Sequence, residues 1–221
     1  WLGIPFNSIQ LEQGDTASVA AGRGTVASRS MVLGGSAMRH AADAVIENGK
    51  KFAAHFMEAD ANDIEFANGV FTIAGTDRAM PITEVAKASF RPAGIPAEFG
   101  VGLDGTGAYA AVQPSFPNGC HICEVEIDPD TGTLTLDKYA VVGDIGVVIN
   151  PMLADGQIHG GIAQGVGQAL TEHVVFDAES GQLMTGSLMD YAMPFAETLP
   201  SFDTEFHEVP CKSNPIGVKG A

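Results

Sequence analysis

The chain has 221 residues, 45% of them hydrophobic, and its 27 Asp and Glu against 11 Lys and Arg give a formal charge of −16. It is long enough to bury a core, and no apolar run approaches the ~18 residues of a membrane helix, which excludes a chain built around a membrane span. The charge is uneven: residues 92–221 hold three Lys and Arg against seventeen Asp and Glu, a balance that repels nucleic acid and anionic lipid.

The N-terminus lacks the charged and apolar regions of a secretory signal, and Trp1 in place of Met reads as an internal start. Three cysteines are too few for a disulfide framework and suit a reducing, cytoplasmic compartment. Residues 3–12 alternate loosely around Ile4, Phe6, Ile9 and Leu11 and predict a strand that ends in the turn QGDT. The stretch GRGTVASRSMVLGG then leads into a helix predicted from Met31 to Glu58, with Ser30 as its N-cap. The unpaired N–H groups and partial positive charge of a helix start, beside hydroxyls and Arg29, suit an anion such as phosphate. The same residues also read as a capped helix after a glycine turn, and the absence of GK[ST] rules out a Walker loop. Ala41, Val45, Phe52 and Phe56 form the helix's apolar stripe, Gly49 weakens it, and His40 and His55 read as surface or packing histidines.

IEFANGVFTI predicts a hairpin turning at Asn68-Gly69, and Pro81 to Ser89 a short helix. Residues 91–119 hold four prolines and six glycines without periodicity; so long an irregular segment is functional or lies against a partner. Cys123, Val125 and Ile127 then alternate with Glu124, Glu126 and Asp128, and DPDTG turns the chain into a strand through Leu134 and Leu136. A further strand through Val141 and Val142 reaches Gly143-Asp144. Cys120-His121-Ile122-Cys123 fails as a zinc or redox pair: no second pair stands at zinc spacing, and in a strand the two thiols leave opposite faces.

Asn150 to His173, NPMLADGQIHGGIAQGVGQALTEH, predicts a helix capped by Asn150 with Pro151 in its first turn. Ile162, Val166, Ala169 and Leu170 share one face, the core side. Gln157, Gln164 and Gln168 stand within about 20° of one line on another. Five glycines, each costing roughly 1 kcal/mol relative to alanine, imply that something approaches closely. Two readings stay open: a helix packed tightly on another element with solvated glutamines, or an amide-lined wall for a flat, hydrogen-bonding heterocycle. A hairpin turning at Ser180-Gly181, the segment GSLMDYAMPFAE, a strand from Phe202 to Glu208 and the tail SNPIGVKGA complete the chain. It shows no serine nucleophile elbow and no glycine fingerprint of Rossmann type.

Taken together, QGDT, GRGTVASRS, EVEIDPDTG, DGQIHGGIAQGVGQALTE, DYAMP and NPIGVKGA resemble, in order and rough spacing, the molybdenum-binding large subunit of the xanthine oxidase family. The nearest branch is that of bacterial carbon monoxide dehydrogenase and aldehyde oxidoreductase, and the resemblance spans nearly the whole chain. It implies an α+β fold of xanthine oxidase type, with mixed and antiparallel strands and long packed helices. The expected organisation is two cofactor-binding subdomains, residues 1–115 and 116–221, the first incomplete at its start and the second at its end. It also implies molybdopterin with molybdenum, in many bacterial members extended to the cytosine dinucleotide. By position, Thr25, Ala27, Ser28, Arg29 and Ser30 match the loop on the phosphate side of that cofactor, and Gln157 matches the helix glutamine, with Asp155 on the same turn. Lys219 and Gly220 match the segment that passes the metal, whereas Gln164 and Gln168 rest on the helical wheel alone.

The chemistry implied is hydroxylation of an aldehyde, N-heterocycle or carbon monoxide, with water as the oxygen source and a glutamate as general base. That glutamate belongs to the pattern GVKGxGE, two positions beyond Ala221, so no residue of this chain is expected to be catalytic. The chain is expected to be one piece of a larger subunit, inactive alone and free of molybdenum when purified. The expected partners are the remainder of the subunit, [2Fe–2S] and FAD domains or subunits, and a small-molecule substrate, with residues 91–119 at the iron–sulfur contact. Two other classes remain: a non-catalytic binding module of the same fold, and a phosphate- or nucleotide-binding protein using Ser28 to Ser30.

Overall fold

A computed structural model describes residues 1–19, 22, 24–91 and 93–221, so Arg23 of the predicted anion loop and Pro92 of the irregular segment lie outside the described residues. The chain divides into two compact units, Trp1–Val112 with Asn214–Ile216, and Gln113–Ser213 with Gly217–Ala221. The fold is α+β.

In the first unit the hairpin forms as its sequence predicts. Strands β1 (Ile64–Ala67) and β2 (Val70–Ile73) pair antiparallel, and Asn68 and Gly69 both take positive φ, 49° and 80°, the geometry that matches strand twist in a two-residue turn. A third strand, β3 (Ala79–Pro81), is too short to carry a sequence signal; it pairs with β2 and runs directly into helix α2 (Ile82–Ser89). The long helix α1 (Ser36–Met57) follows a π-helical turn, Met31–Gly35. Its Phe52, Ala53, Ala54 and Met57 close on Ile64, Phe71, Ile73, Ile82 and Val85 to form the core. Val45 and Phe56 of the predicted stripe pack at the margin of that core. Gly49 proves to be a packing residue rather than a weak point, since a Cβ there would collide with the Phe71 ring.

Residues 3–12 form no strand: Phe6–Ser8 is a short 3-10 turn after Pro5, and Phe6, Ile9 and Leu11 are exposed. Only Leu2 and Ile4 reach the core, at the place where Gly3 fits backbone to backbone on the Asn68-Gly69 turn. Part of the irregular segment packs along α1 within its own unit. Asn48 donates to the carbonyl of Asp104 at 3.0 Å, and ring nitrogens of His40 and His55 bond the carbonyls of Ala108 and Gly94 at 2.9 and 2.6 Å. Gly105 and Gly107 lie so close to the α1 backbone that a side chain at either would strike it. The two histidines are thus packing residues.

In the second unit, β4 (Asn118–Ile127) and β5 (Leu134–Asp144) form a long antiparallel pair with a bulge at Glu124/Val125. The DPDTG turn is held by the Asp128 carboxylate, which accepts from the N–H groups of Asp130 and Thr131 at 2.8 and 2.9 Å; these bonds hold its carboxyl below the usual carboxylate range. The two strands expected around Leu136 and Val141 are one: Lys138 and Gly143 interrupt the apolar pattern but stay paired to Glu124 and Gly119, and the ladder passes Asp137 as the extra residue of the bulge. Helix α3 (Pro151–Leu170) connects β5 to β6 (Phe202–Phe206), which pairs parallel to β5 and makes the sheet mixed, as a helical crossover allows. His159 of α3 meets β6 through Thr204 Oγ1 at 3.1 Å and the Phe202 ring at 5.1 Å. The Ser180-Gly181 turn closes on a single bridge, Phe176 to Leu183, rather than on two strands.

Candidate cofactor site

The first group of candidate residues lies on the loop before α1. Thr25, Ala27, Ser28 and Ser30 are exposed and Arg29 is half-buried. Thr25 Oγ1 and Ser30 Oγ stand 2.5 Å apart, and the Arg29 guanidinium reaches back to the Gly24 carbonyl at 3.2 Å. Ser30 is not the N-cap: its φ and ψ of −58° and −47° are already helical and its side chain caps nothing. The hydroxyl instead closes the loop onto Thr25. The turn is made by Ala27 and Ser28, both left-handed with φ of 49° and 52°, where each non-glycine residue costs roughly 1–2 kcal/mol. Two such residues in succession on an exposed loop are backbone strain of the kind that gathers at ligand sites. Ala27→Gly is therefore expected to stabilise the first unit by up to about 1 kcal/mol, the relief of strain exceeding the added chain entropy. A thermal melt checks it, and a lower melting temperature would show that the loop is not strained.

The second group lies on α3 and the tail, both in the second unit. Asn150 caps α3 as predicted, accepting from Leu153 N–H at 3.2 Å, with Pro151 in the first turn. Gln157, Gln164 and Gln168 are all exposed. Of the five glycines only Gly167 is packed, against Glu172 and Pro194, while a Cβ at Gly156, Gly160, Gly161 or Gly165 would meet nothing within 4 Å. The tight packing that the sequence implied has no partner at the Cβ position of those four among the described residues. Asp155 is half-buried, and two residues along a helix is about 200° of turn, so it leaves the side of α3 opposite to Gln157.

The predicted core face is only partly filled. Ile162 is buried but Leu170 is 46% exposed. The gap between this face and the sheet is a cavity of about 380 Å³ whose walls include Val125, Leu136, Tyr139, Gly161, Gly165 and Val166. Cys123 also lines it; all three cysteines are free thiols. Among the described residues, no group of three or more His, Cys, Asp or Glu side chains is placed to hold a metal ion.

The GVKG tail is tied into the second unit by a residue the sequence reading passed over. Lys219 Nζ pairs with the carboxylate of Asp144 at the end of β5, the two side chains only 13% and 10% exposed. Asp144 Oδ1 accepts from the N–H groups of Gly146 and Val209 at 2.9 and 3.2 Å. Lys219 first, and then these two amides, hold its carboxyl below the usual range. No local signal marks Asp144, because its partner stands 75 residues away.

The class of the fold is a molybdopterin-binding domain. Residues 1–200 match the family model described as molybdopterin cofactor-binding domain, and the chain belongs to that family, within the xanthine oxidase and carbon monoxide dehydrogenase large subunits. It is 37% identical over 221 residues to the nicotine 6-hydroxylase large subunit of Paenarthrobacter nicotinovorans, covering 99% of this chain and 27% of that one. It is 35% identical over 220 residues to the carbon monoxide dehydrogenase large chain of Hydrogenophaga pseudoflava, with the same coverage. The solved carbon monoxide dehydrogenase of Oligotropha carboxidovorans superposes with a TM-score of 0.92 at 32% identity, over 99% of this chain and 27% of that chain. The chain thus spans about a quarter of the length of these relatives. Among the described residues no helix is long and apolar enough to cross a membrane.

Proposed function

We propose that this chain supplies cofactor contacts to a cytoplasmic molybdenum hydroxylase, and that the cofactor is molybdopterin in its cytosine dinucleotide form. The observation that carries the reading is the open glycine face of α3 beside exposed Gln157. Gly156 and Gly160, which no neighbour among the described residues requires, leave bare backbone open to a flat ring, and the Gln157 amide offers both a donor and an acceptor to a pterin edge. The donor set on the other loop suits phosphate oxygens: hydroxyls on Thr25, Ser28 and Ser30, and the Arg29 guanidinium. Ala27 supports that loop through its backbone, and Gly220 and Lys219 mark the tail next to the metal. Asp155 remains a candidate, acting from its own side of α3.

When bound, the cofactor would supply oxidation of an electron-poor carbon with water as the oxygen source. The residues named here bind and orient it; the general base is supplied from outside them. The relatives named for nicotine and carbon monoxide support a small N-heterocycle or carbon monoxide as the substrate, with an aldehyde as the third candidate. The partners that would take the electrons are [2Fe–2S] and FAD domains or subunits. Residues 91–119 are proposed to lie at the iron–sulfur contact with the face turned away from α1. The two cofactor-binding subdomains, expected at residues 1–115 and 116–221, are proposed to correspond to the two compact units, Trp1–Val112 with Asn214–Ile216 and Gln113–Ser213 with Gly217–Ala221.

The test is mass spectrometry of the ligand extracted from a full-length large subunit carrying this sequence. A pterin dinucleotide is the expected result, no ligand favours a non-catalytic module, and a plain nucleotide favours a phosphate-binding protein. Gln157→Ala in the same subunit is expected to lose most of the pterin, and undiminished pterin content would remove Gln157 from the site.

A further inference from the structure

The tail that carries Lys219 and Gly220 is tied to the second unit at Gly217, Val218 and Lys219. Gly217 accepts at its carbonyl from Val147 and Cys211, both at 2.9 Å, and Val218 bridges to Gly146. The Lys219 N–H donates to the carbonyl of Ile145 at 2.8 Å, and its own carbonyl accepts from Ser115 Oγ at 2.8 Å. Gly146 and Gly217 both have φ of 73°, and a Cβ on Gly146 would strike the Gly217 carbonyl, so the two backbones touch. One side chain joins these strands of contact. Asp144 holds the turn through Gly146, the incoming chain through Val209 and the tail through Lys219.

We propose that Asp144 is a positioning residue: through its buried pair with Lys219 it fixes the Val218–Gly220 backbone, and the Lys219 ammonium is its counter-ion rather than a ligand of the cofactor. This rests on the reading that the tail passes the metal of a bound molybdenum cofactor. The ammonium is committed to Asp144 within the fold, so what the tail presents to a ligand is main chain held at a set place. A buried pair of this kind is costly to break from one side, because the remaining charge is left without a partner.

The test uses Asp144→Asn, which keeps an oxygen for Gly146 and Val209 and removes only the pairing with Lys219, together with Lys219→Met and the conservative Lys219→Arg. In the 221-residue chain, hydrogen exchange at the amides of Lys219 and Cys211 is expected to speed up about ten- to a hundredfold in Asp144→Asn and Lys219→Met, with Phe52 and Ala53 in α1 unchanged. Unchanged tail exchange overturns the proposal. In the full-length holoenzyme, the Asn and Met variants are expected to keep their molybdenum and pterin content but show shifted g-values in the molybdenum(V) signal after dithionite reduction. Lys219→Arg is expected to restore the wild-type signal. A wild-type signal in all three variants overturns the positioning role, and loss of pterin from Lys219→Met or Asp144→Asn makes the pair part of the cofactor site itself and also overturns it. A wild-type subunit that yields no pterin brings down the cofactor reading instead, and the exchange measurement then still decides whether Asp144 fixes the tail.

Discussion

Replacing Phe71 with alanine is expected to cost about 3–5 kcal/mol, the usual loss for a fully buried phenylalanine, and to unfold the first unit at moderate temperature. Its ring is 0% exposed, sits 4.6 Å from the Phe66 ring, and fills the space over Gly49 on α1. A loss of that size is a large part of the roughly 5–15 kcal/mol that holds a domain together. The informative companion is Gly49→Ala, where two physical effects have opposite signs. Helix propensity alone makes alanine better by about 1 kcal/mol. Packing makes it worse by about 1–3 kcal/mol, because the new methyl has no room beside the Phe71 ring. The structure requires packing to win, so Gly49→Ala is expected to lower the melting temperature. Combining it with Phe71→Leu is expected to cost less than the sum of the two single changes, as neighbours in contact do. A stabilised Gly49→Ala, or strict additivity in the pair, would show that α1 does not rest on Phe71.

What the sequence revealed and what it hid divide along a physical line. The Asn68-Gly69 turn, the Asp128 turn and the Asn150-Pro151 helix start were legible because each is set by residues within four positions of one another. The resemblance that led to the family was legible for a related reason: its motifs are short loops and helix starts whose glycines and hydroxyls are individually demanding. The interruption of β5 at Asp137 and Lys138 misled, because half of that strand faces solvent and tolerates charge. Residues 3–12 misled in the other direction, since loose alternation predicts a strand but supplies no neighbour to pair with. Ser30 was read as a cap because hydroxyls favour that position, yet the π-helical turn that follows moves the helix start back toward Arg29. Long-range facts were the least accessible. Neither the parallel pairing of β5 with β6 nor the pair between Asp144 and Lys219 leaves a local trace, and the reason Gly49 is glycine lies on a strand some twenty residues away.

The glycines of α3 separate two explanations that a stability measurement alone would confuse, and Gly160→Leu tells them apart. In the 221-residue chain a Cβ at Gly160 meets nothing within 4 Å, so leucine is expected to be accepted and to stabilise the helix by up to about 1 kcal/mol. Were the glycine there to let α3 pack against its own unit, as Gly167 does against Pro194, the same change would destabilise. In a full-length large subunit the expectation reverses: leucine at that place occupies the space beside Gln157 into which a pterin ring would come, and pterin content is expected to fall to near zero while the protein remains folded. Gly160→Ala is expected to fall between, since one methyl displaces less than an isobutyl group. The comparison with Gln157→Ala then sorts the contributions, a lost hydrogen bond in one case and lost room in the other. Full pterin retention in Gly160→Leu would mean that the open face of α3 is covered by polypeptide able to shift, or by solvent, and the ring would have to be sought on another surface of the second unit.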